Sequence, residues 1–156
     1  MLWDEDLYDE RRELTIGRYL RDGEDRFGGL DSVVLWHAYP RIGFDDRNQF
    51  DFYRQLPGGT DGLRRIVDAC RAGGVRALLA YYPWDVGTRR ELAGEVDVLL
   101  TLVTASGADG IFLDTLAQGS AALQDRLAEV APGAALMTEG LVPMDQVQGH
   151  PASWVQ

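Results

Sequence analysis

The chain has 156 residues, 46% of them hydrophobic, which fits a single folded domain better than a disordered segment. Its 25 acidic residues against 15 basic ones give a formal net charge of −10, so neither nucleic acid nor an anionic membrane surface is expected as a partner. All 15 basic residues are arginines, and the absence of lysine excludes lysine Schiff-base chemistry, pyridoxal phosphate and a Walker-type phosphate loop.

Cysteine content and the apolar pattern narrow the class of protein further. Cys70 is the only cysteine, which excludes an intrachain disulfide and a cysteine-based zinc site, and its apolar neighbours predict a small buried residue. No stretch is long and apolar enough to predict a membrane span, and the acidic residues 4–6 do not resemble the start of a signal peptide. We expect a cytoplasmic protein that uses no cofactor.

The first predicted helix and strand follow a charged N-terminal segment. Residues 1–13 predict a separate charged N-terminal segment, and residues 14–156 predict the folded domain. Apolar residues at helical spacing after Thr15 predict a helix that ends at Gly28. Residues 32–37 are a continuous β-branched and apolar run, which is typical of a strand covered on both faces.

A long polar and aromatic segment from residue 38 to about residue 59 predicts a loop, and loops of this length are usually functional. Residues 60–73 then predict a helix that leads into a second strand at residues 75–82. The last predicted elements are a helix from Thr88 to Ser106, a strand at 110–114, a helix at about 117–130 and a strand at 134–138.

This alternation predicts a parallel α/β sheet, either an open doubly wound sheet or a barrel. An eight-stranded TIM-type barrel needs about 250 residues, so four predicted strands indicate a partial barrel. A self-contained four-stranded domain is the alternative. A partial barrel exposes strand edges and apolar surface, which predicts self-association or a missing barrel half as partner.

Two predicted strands end in a carboxylate. Asp114 follows the apolar run at 110–113, and Glu139 follows the run at 134–138. Parallel strands joined by one helical crossover are commonly neighbours, so both carboxylates are expected at the same rim, where such folds keep their chemistry. Asp114 has an alternative interpretation as the N-cap of the next helix. A pair of carboxylates is what the hydrolysis of a glycosidic bond requires.

Aromatic and polar side chains follow the first two predicted strands at the same rim. Aromatic faces pack on sugar rings, and polar groups bind hydroxyls, so the group predicts a carbohydrate pocket. The predicted substrate-binding residues are Trp36, His37, Tyr39, Arg41, Asp45, Asp46, Tyr82, Trp84 and Asp85. Tyr81 is placed with these aromatics. The acidic residues at 45–51 match no calcium-loop spacing, so no metal site is predicted, and His150 receives no role.

The stretch from Leu30 to Gly140 resembles the second to fifth strands of the catalytic barrel in α-amylase and α-galactosidase-like glycoside hydrolases. Residues 57–76, with a predicted helix followed by a strand, carry part of this resemblance. This resemblance implies a nucleophilic Asp114 and an acid/base Glu139. α-Amylases carry an arginine two residues before the nucleophile, where this chain has Phe112, so the resemblance implies a divergent relative.

The leading hypothesis is therefore a glycoside hydrolase-like protein, or a truncated copy of one, that cleaves an O-glycosidic bond with a carboxylate pair. A second hypothesis is a non-catalytic carbohydrate-binding or remnant domain that keeps the aromatic rim. A third, an open-sheet module for a phosphorylated ligand, is disfavoured by the acidic charge and by the lack of a glycine fingerprint before a helix.

Overall fold

The computed structural model describes residues 7–37 and 43–154. Helices and strands alternate along this part of the chain. In chain order they are α1 (Ile16–Phe27), β1 (Ser32–Leu35), α2 (Gln49–Arg54), α3 (Gly59–Ala72), β2 (Arg76–Tyr81), α4 (Glu95–Ser106), β3 (Gly110–Leu113), α5 (Ala121–Val130), β4 (Ala135–Thr138) and β5 (Ala152–Ser153).

The strands form one parallel five-stranded sheet in the order β1-β2-β3-β4-β5. Each strand joins the same growing edge, whereas an open doubly wound sheet reverses its strand order at a switch point. Sequential order is that of a (β/α) barrel, and the sheet is a curled half-barrel with helices outside it. The predicted α/β fold, a partial TIM-type barrel, is confirmed, and the doubly wound alternative is wrong.

The predicted number of four strands is too low by one. β5 pairs in parallel with β4, and the Trp154 N–H extends the ladder by donating to Thr138 O at 2.6 Å. A strand of two residues is too short to show an alternation of apolar and polar residues. β5 is therefore recognised by its pairing with β4 and not by its own sequence.

The core lies between the outer face of the sheet and the helices. Leu79, Ile111 and Leu136 project into it from β2, β3 and β4, and Leu63 and Leu99 meet them from α3 and α4. Because side chains alternate along a strand, the residues between these face the inner side of the sheet. This alternation decides which side chains reach the inner rim.

The predicted long loop contains a short helix, α2, so the expectation of an irregular segment is wrong over residues 49–54. Asn48 and Asp51 form a capping box at its start, which satisfies backbone N–H groups that a helix leaves unpaired. Phe50, Phe52 and Tyr53 are buried, and the Tyr53 hydroxyl lies 2.9 Å from the carbonyl oxygens at the ends of β1 and β2. The helix thus covers the tops of these two strands.

Two later helices begin after their predicted starts. α4 begins at Glu95 and not at Thr88, because residues before it are drawn into the loop around Asn48, whose Nδ2 donates to Arg89 O at 2.8 Å. α5 begins at Ala121, where the Ser120 hydroxyl accepts the Leu123 N–H at 3.2 Å. Serine is a preferred N-cap, so this boundary has a local cause.

Both ends of the described chain are tied to the domain. Leu7 is buried in the core although it lies in the charged N-terminal segment. His150 is also buried: its Nε2 accepts the Gly119 N–H at 2.8 Å, and its Nδ1 lies 2.9 Å from Gln146 O, so this histidine holds the tail against the loop before α5. None of the described helices is long and apolar enough to span a membrane.

Candidate active site

Asp114 and Glu139 are side by side at the carboxyl ends of β3 and β4. Leu113 pairs with Thr138 in the sheet register, so the next pair along the two strands is Asp114 and Glu139. The ladder continues through this step, because the Asp114 N–H donates to Tyr81 O at 2.8 Å and the Glu139 N–H donates to Leu113 O at 3.1 Å. Adjacent strands lie about 4.8 Å apart, which brings the two backbones within carboxyl-pair distance.

Both carboxylates lie on the inner face of the sheet. Leu113 points outward into the core, and alternation turns Asp114 to the opposite side with Phe112. Glu139 shares this face because Met137, two residues before it, pairs with Phe112. Asp114 is fully buried and Glu139 is partly exposed. The interpretation of Asp114 as a helix N-cap is wrong, since Ser120 caps α5.

Thr115 connects the two carboxylates. Its backbone N–H donates to Glu139 Oε2 at 2.6 Å, and its hydroxyl accepts a hydrogen bond of 3.1 Å from Trp84 Nε1. Its φ angle is +62°, in the left-handed region that a β-branched residue rarely adopts. Thr115 is not among the predicted site residues, because nothing in the local sequence marks a threonine for this conformation.

Trp84 and Tyr82 form an aromatic wall beside the carboxylates, and their predicted binding of substrate stays a prediction. Their rings stack at 4.4 Å with an interplanar angle of 27°. Tyr82 is buried and Trp84 is partly exposed, so the indole is the accessible part of the wall. Tyr81 is different: it faces α4, where its hydroxyl donates to Glu95 Oε2 at 3.0 Å, because alternation turns it away from the inner face.

A second aromatic group covers the inner face below the rim. The Trp36 and Phe112 rings meet edge to face at 5.1 Å, and Trp154 contacts Phe112 at 5.2 Å and Trp36 at 6.0 Å. Trp154 stands beside Glu139 in the register, since Thr138 pairs with Ser153. Nothing in the local sequence marks Trp154 as a rim residue, because the strand before it has only two residues.

His37 is enclosed and does not face solvent. Its ring lies 4.1 Å from Tyr53, 5.7 Å from Tyr82 and 6.3 Å from Phe52, measured between ring centroids. Complete burial lowers the pKa of His37 to about 3, so the imidazole is neutral at physiological pH. Among the described residues neither ring nitrogen has a hydrogen-bond partner. The predicted contact of His37 with substrate stays a prediction.

The three predicted aspartates of the loops have partners of their own. Asp45 binds Arg47 at 2.6 Å, and this hydrogen-bonded ion pair lowers the pKa of Asp45 to about 2. Asp46 binds Arg89 at 2.9 Å. Asp85 accepts the backbone N–H groups of residues 49 and 87, both at 2.8 Å. These contacts hold the loops before α2 and before α4 together, and none of them reaches the carboxylate pair.

Two predicted substrate-binding residues, Tyr39 and Arg41, lie outside the described residues. Over residues 7–37 and 43–154, no group of three or more histidine, cysteine or carboxylate side chains is arranged to hold a metal ion. The chemistry available at the described rim is therefore that of two carboxylates, a backbone N–H and aromatic faces.

The sequence matches no protein-family profile and no curated protein. Among solved structures the chain is similar to a pullulanase from Paenibacillus barengoltzii in complex with maltohexaose and α-cyclodextrin, with a TM-score of 0.53 and 15% identity over 85% of this chain and 32% of the pullulanase. It is also similar to a β-arabinopyranosidase, with a TM-score of 0.48 and 17% identity over 97% of this chain and 23% of that protein. The chain thus spans a third or less of either protein. The likeness to the pullulanase shows a shared fold.

Proposed function

We propose that this chain carries the catalytic carboxylate pair of a glycoside hydrolase-like protein and cleaves an O-glycosidic bond. The observation that carries the proposal is the register of β3 and β4, which sets Asp114 and Glu139 as the next pair on one face of the sheet. Carboxyl groups about 5 to 5.5 Å apart suit a retaining mechanism, whereas an inverting one needs room for a water molecule between them. Because the two carboxylates lie on neighbouring strands, the shorter separation of a retaining mechanism is favoured.

In this mechanism the Asp114 carboxylate attacks the anomeric carbon, and the bond from that carbon to the leaving oxygen breaks. Glu139 gives its proton to the leaving oxygen, so the leaving group departs as a neutral alcohol. A water molecule then attacks the anomeric carbon, Glu139 takes the proton of this water, and the bond to Asp114 breaks. The partial exposure of Glu139 is consistent with its exchange of protons with water and leaving group.

The aromatic side chains support a carbohydrate as the ligand. Trp84 presents a partly exposed face beside Thr115, and Trp154 is 43% exposed beside Glu139. Two aromatic faces on either side of a carboxylate pair suit the apolar faces of sugar rings. The net charge of −10 disfavours a phosphorylated sugar. The fold shared with a pullulanase bound to maltohexaose also supports this ligand class.

Turnover of nitrophenyl α-glucosides and α-galactosides tests the proposal. Asp114→Asn is expected to lower kcat/KM by at least about a hundredfold, because the amide cannot attack. Glu139→Gln is expected to lower kcat by a similar factor, because no base then takes the proton of the water in the second step. Glu129→Gln, at an exposed site on α5, is the matched control and should retain wild-type turnover. Turnover that survives Asp114→Asn in a folded variant would refute the proposal.

A non-catalytic carbohydrate-binding or remnant domain is the second candidate. It is favoured by the strand count, since the described residues supply five strands where a TIM-type barrel closes with eight. This candidate predicts saturable binding of maltooligosaccharides, measured by tryptophan fluorescence, without hydrolysis by the wild-type chain. It also predicts that Asp114→Asn leaves the affinity unchanged. A missing barrel half, or a second copy of the chain, would then be the partner.

A further inference from the structure

The peptide that follows Asp114 is unusual in its conformation and in its contacts. Thr115 is the residue next to Asp114 and adopts a φ of +62°. In the left-handed region the β-carbon of an L-residue crowds its own backbone, and a β-branched side chain adds to this. Such strained residues persist only where the surrounding structure holds them, and they concentrate at functional sites.

Two contacts hold Thr115 in this conformation, one on each side of the residue. Trp84 Nε1 donates to the Thr115 hydroxyl at 3.1 Å, and Trp84 is itself stacked on Tyr82. On the backbone side, the Thr115 N–H donates to Glu139 Oε2 at 2.6 Å. A threonine with φ in the usual negative range would hold its side chain at another angle to its N–H, so the N–H bond to Glu139 and the hydroxyl bond from Trp84 are made together in the strained conformation.

We propose that Thr115 is a positioning residue that makes Oε1 the oxygen of Glu139 that carries the catalytic proton. This inference rests on the acid/base role given to Glu139 above. In a protonated carboxyl group the carbonyl oxygen is a much better acceptor than the hydroxyl oxygen, so a backbone N–H held 2.6 Å from Oε2 favours the proton on Oε1. Oε2 therefore stays an acceptor in both protonation states, as a carboxylate oxygen or as the carbonyl oxygen of the acid. Within the described residues Oε1 accepts no hydrogen bond.

Oε1 of Glu139 takes part in both proton transfers. The proton leaves Oε1 for the leaving oxygen in the first step and returns to Oε1 from the attacking water in the second, while Oε2 keeps the Thr115 N–H throughout. The carboxyl group therefore does not need to rotate between the two steps. Because Thr115 is bonded directly to Asp114, the same peptide also fixes the spacing between the two carboxyl groups.

The Thr115 amide proton reports on this arrangement directly. In a ¹⁵N-labelled wild-type chain its resonance should lie downfield because of the short bond to Oε2, and Glu139→Gln should reduce this shift by removing the charge of the acceptor. Thr115→Ser keeps the hydroxyl that Trp84 reaches and should retain the downfield shift. Thr115→Gly, which favours the left-handed conformation, lacks the hydroxyl, and Trp84→Phe lacks its donor. Both variants should reduce the downfield shift, because the Asp114–Thr115 peptide is then no longer anchored to Trp84.

Kinetics supply the second readout. Thr115→Gly and Trp84→Phe should lower kcat by about tenfold or more through misplacement of the general acid, with kcat recovered in Thr115→Ser. An amide resonance indifferent to Glu139→Gln, or unchanged in both Thr115→Gly and Trp84→Phe, would overturn the inference. A wild-type chain that hydrolyses no probe would refute the proposed function, and the resonance would still decide whether Thr115 holds Oε2.

Discussion

Gln49 and Tyr82 form a two-way pair in which one side-chain amide satisfies both backbone groups of the other residue. Gln49 Nε2 donates to Tyr82 O at 2.8 Å, and Gln49 Oε1 accepts the Tyr82 N–H at 3.1 Å. Both residues are buried. β2 ends at Tyr81, so the amide of Gln49 takes the place of a neighbouring strand and fixes α2 beside the aromatic wall of the site.

This pair leads to a stability prediction. Gln49→Leu should lower the free energy of unfolding by about 2 to 4 kcal/mol, because it removes the hydrogen bonds that Gln49 makes to the buried N–H and carbonyl oxygen of Tyr82. Urea unfolding followed by tryptophan fluorescence measures the change. Gln118→Ala, at an exposed position, is the control and should stay within about 0.5 kcal/mol of wild type. A Gln49→Leu curve that overlays the wild type would contradict the structural role of α2.

Burial of His37 predicts that the free energy of unfolding already decreases as the pH falls below about 6.5, a range higher than that in which most carboxylates titrate. Its pKa is about 3 in the folded chain against an ordinary value of 6.5, so below about pH 6.5 the unfolded chain binds a proton that the folded chain does not. Stability is therefore full above that pH and decreases as the pH falls toward 3, and this one group accounts for about 1 kcal/mol between pH 7 and 5.5.

The measurement is the urea midpoint at these two pH values in wild type and in His37→Phe. The phenyl ring suits an enclosure made by Phe52, Tyr53 and Tyr82, and the variant should lose most of the acid sensitivity. Equal pH dependence in the two proteins would show that His37 is charged or solvated in the folded state.

The acid/base role of Glu139 predicts chemical rescue. Glu139→Ala should be nearly inactive on substrates with poor leaving groups, and azide should restore turnover of a dinitrophenyl glycoside by about tenfold or more, because a small anion can enter the space of the carboxyl group and attack without base assistance. Chromatography of the product should show a glycosyl azide with retained configuration. An inverted product would place Asp114 and Glu139 in a different mechanism.

The open half-barrel predicts self-association through its inner face. Trp154 is 43% exposed, and it continues the aromatic group formed by Trp36 and Phe112. Light scattering over a concentration series should show dimers or larger species, and Trp154→Ser should shift them toward monomer by removing apolar area. Leu92→Ser, at a fully exposed turn, is the control. A wild-type chain that stays monomeric would show that the inner face is covered or stable without a partner.

The sequence alone determined the class of fold and the position of the two carboxylates at strand ends. Apolar runs bounded by glycines predicted β1 to β4, and helical spacing predicted the crossover helices, because both patterns are local consequences of one buried face. The same logic placed Asp114 and Glu139 at strand ends, and the register of β3 and β4 sets them side by side. Tyr82 and Trp84 were likewise predicted as rim residues from their position after a strand, and both follow β2.

Only the tertiary structure decided the partners of these residues. Asp46 and Arg89, or Trp84 and Thr115, are far apart in the chain, so no local pattern records that they meet. The left-handed conformation of Thr115 depends on such contacts, since threonine by itself avoids it. β5 forms because the edge of β4 supplies hydrogen-bonding partners, and this pairing places Trp154 at the rim. Local spacing determines which face a side chain occupies, whereas long-range packing determines what it touches there.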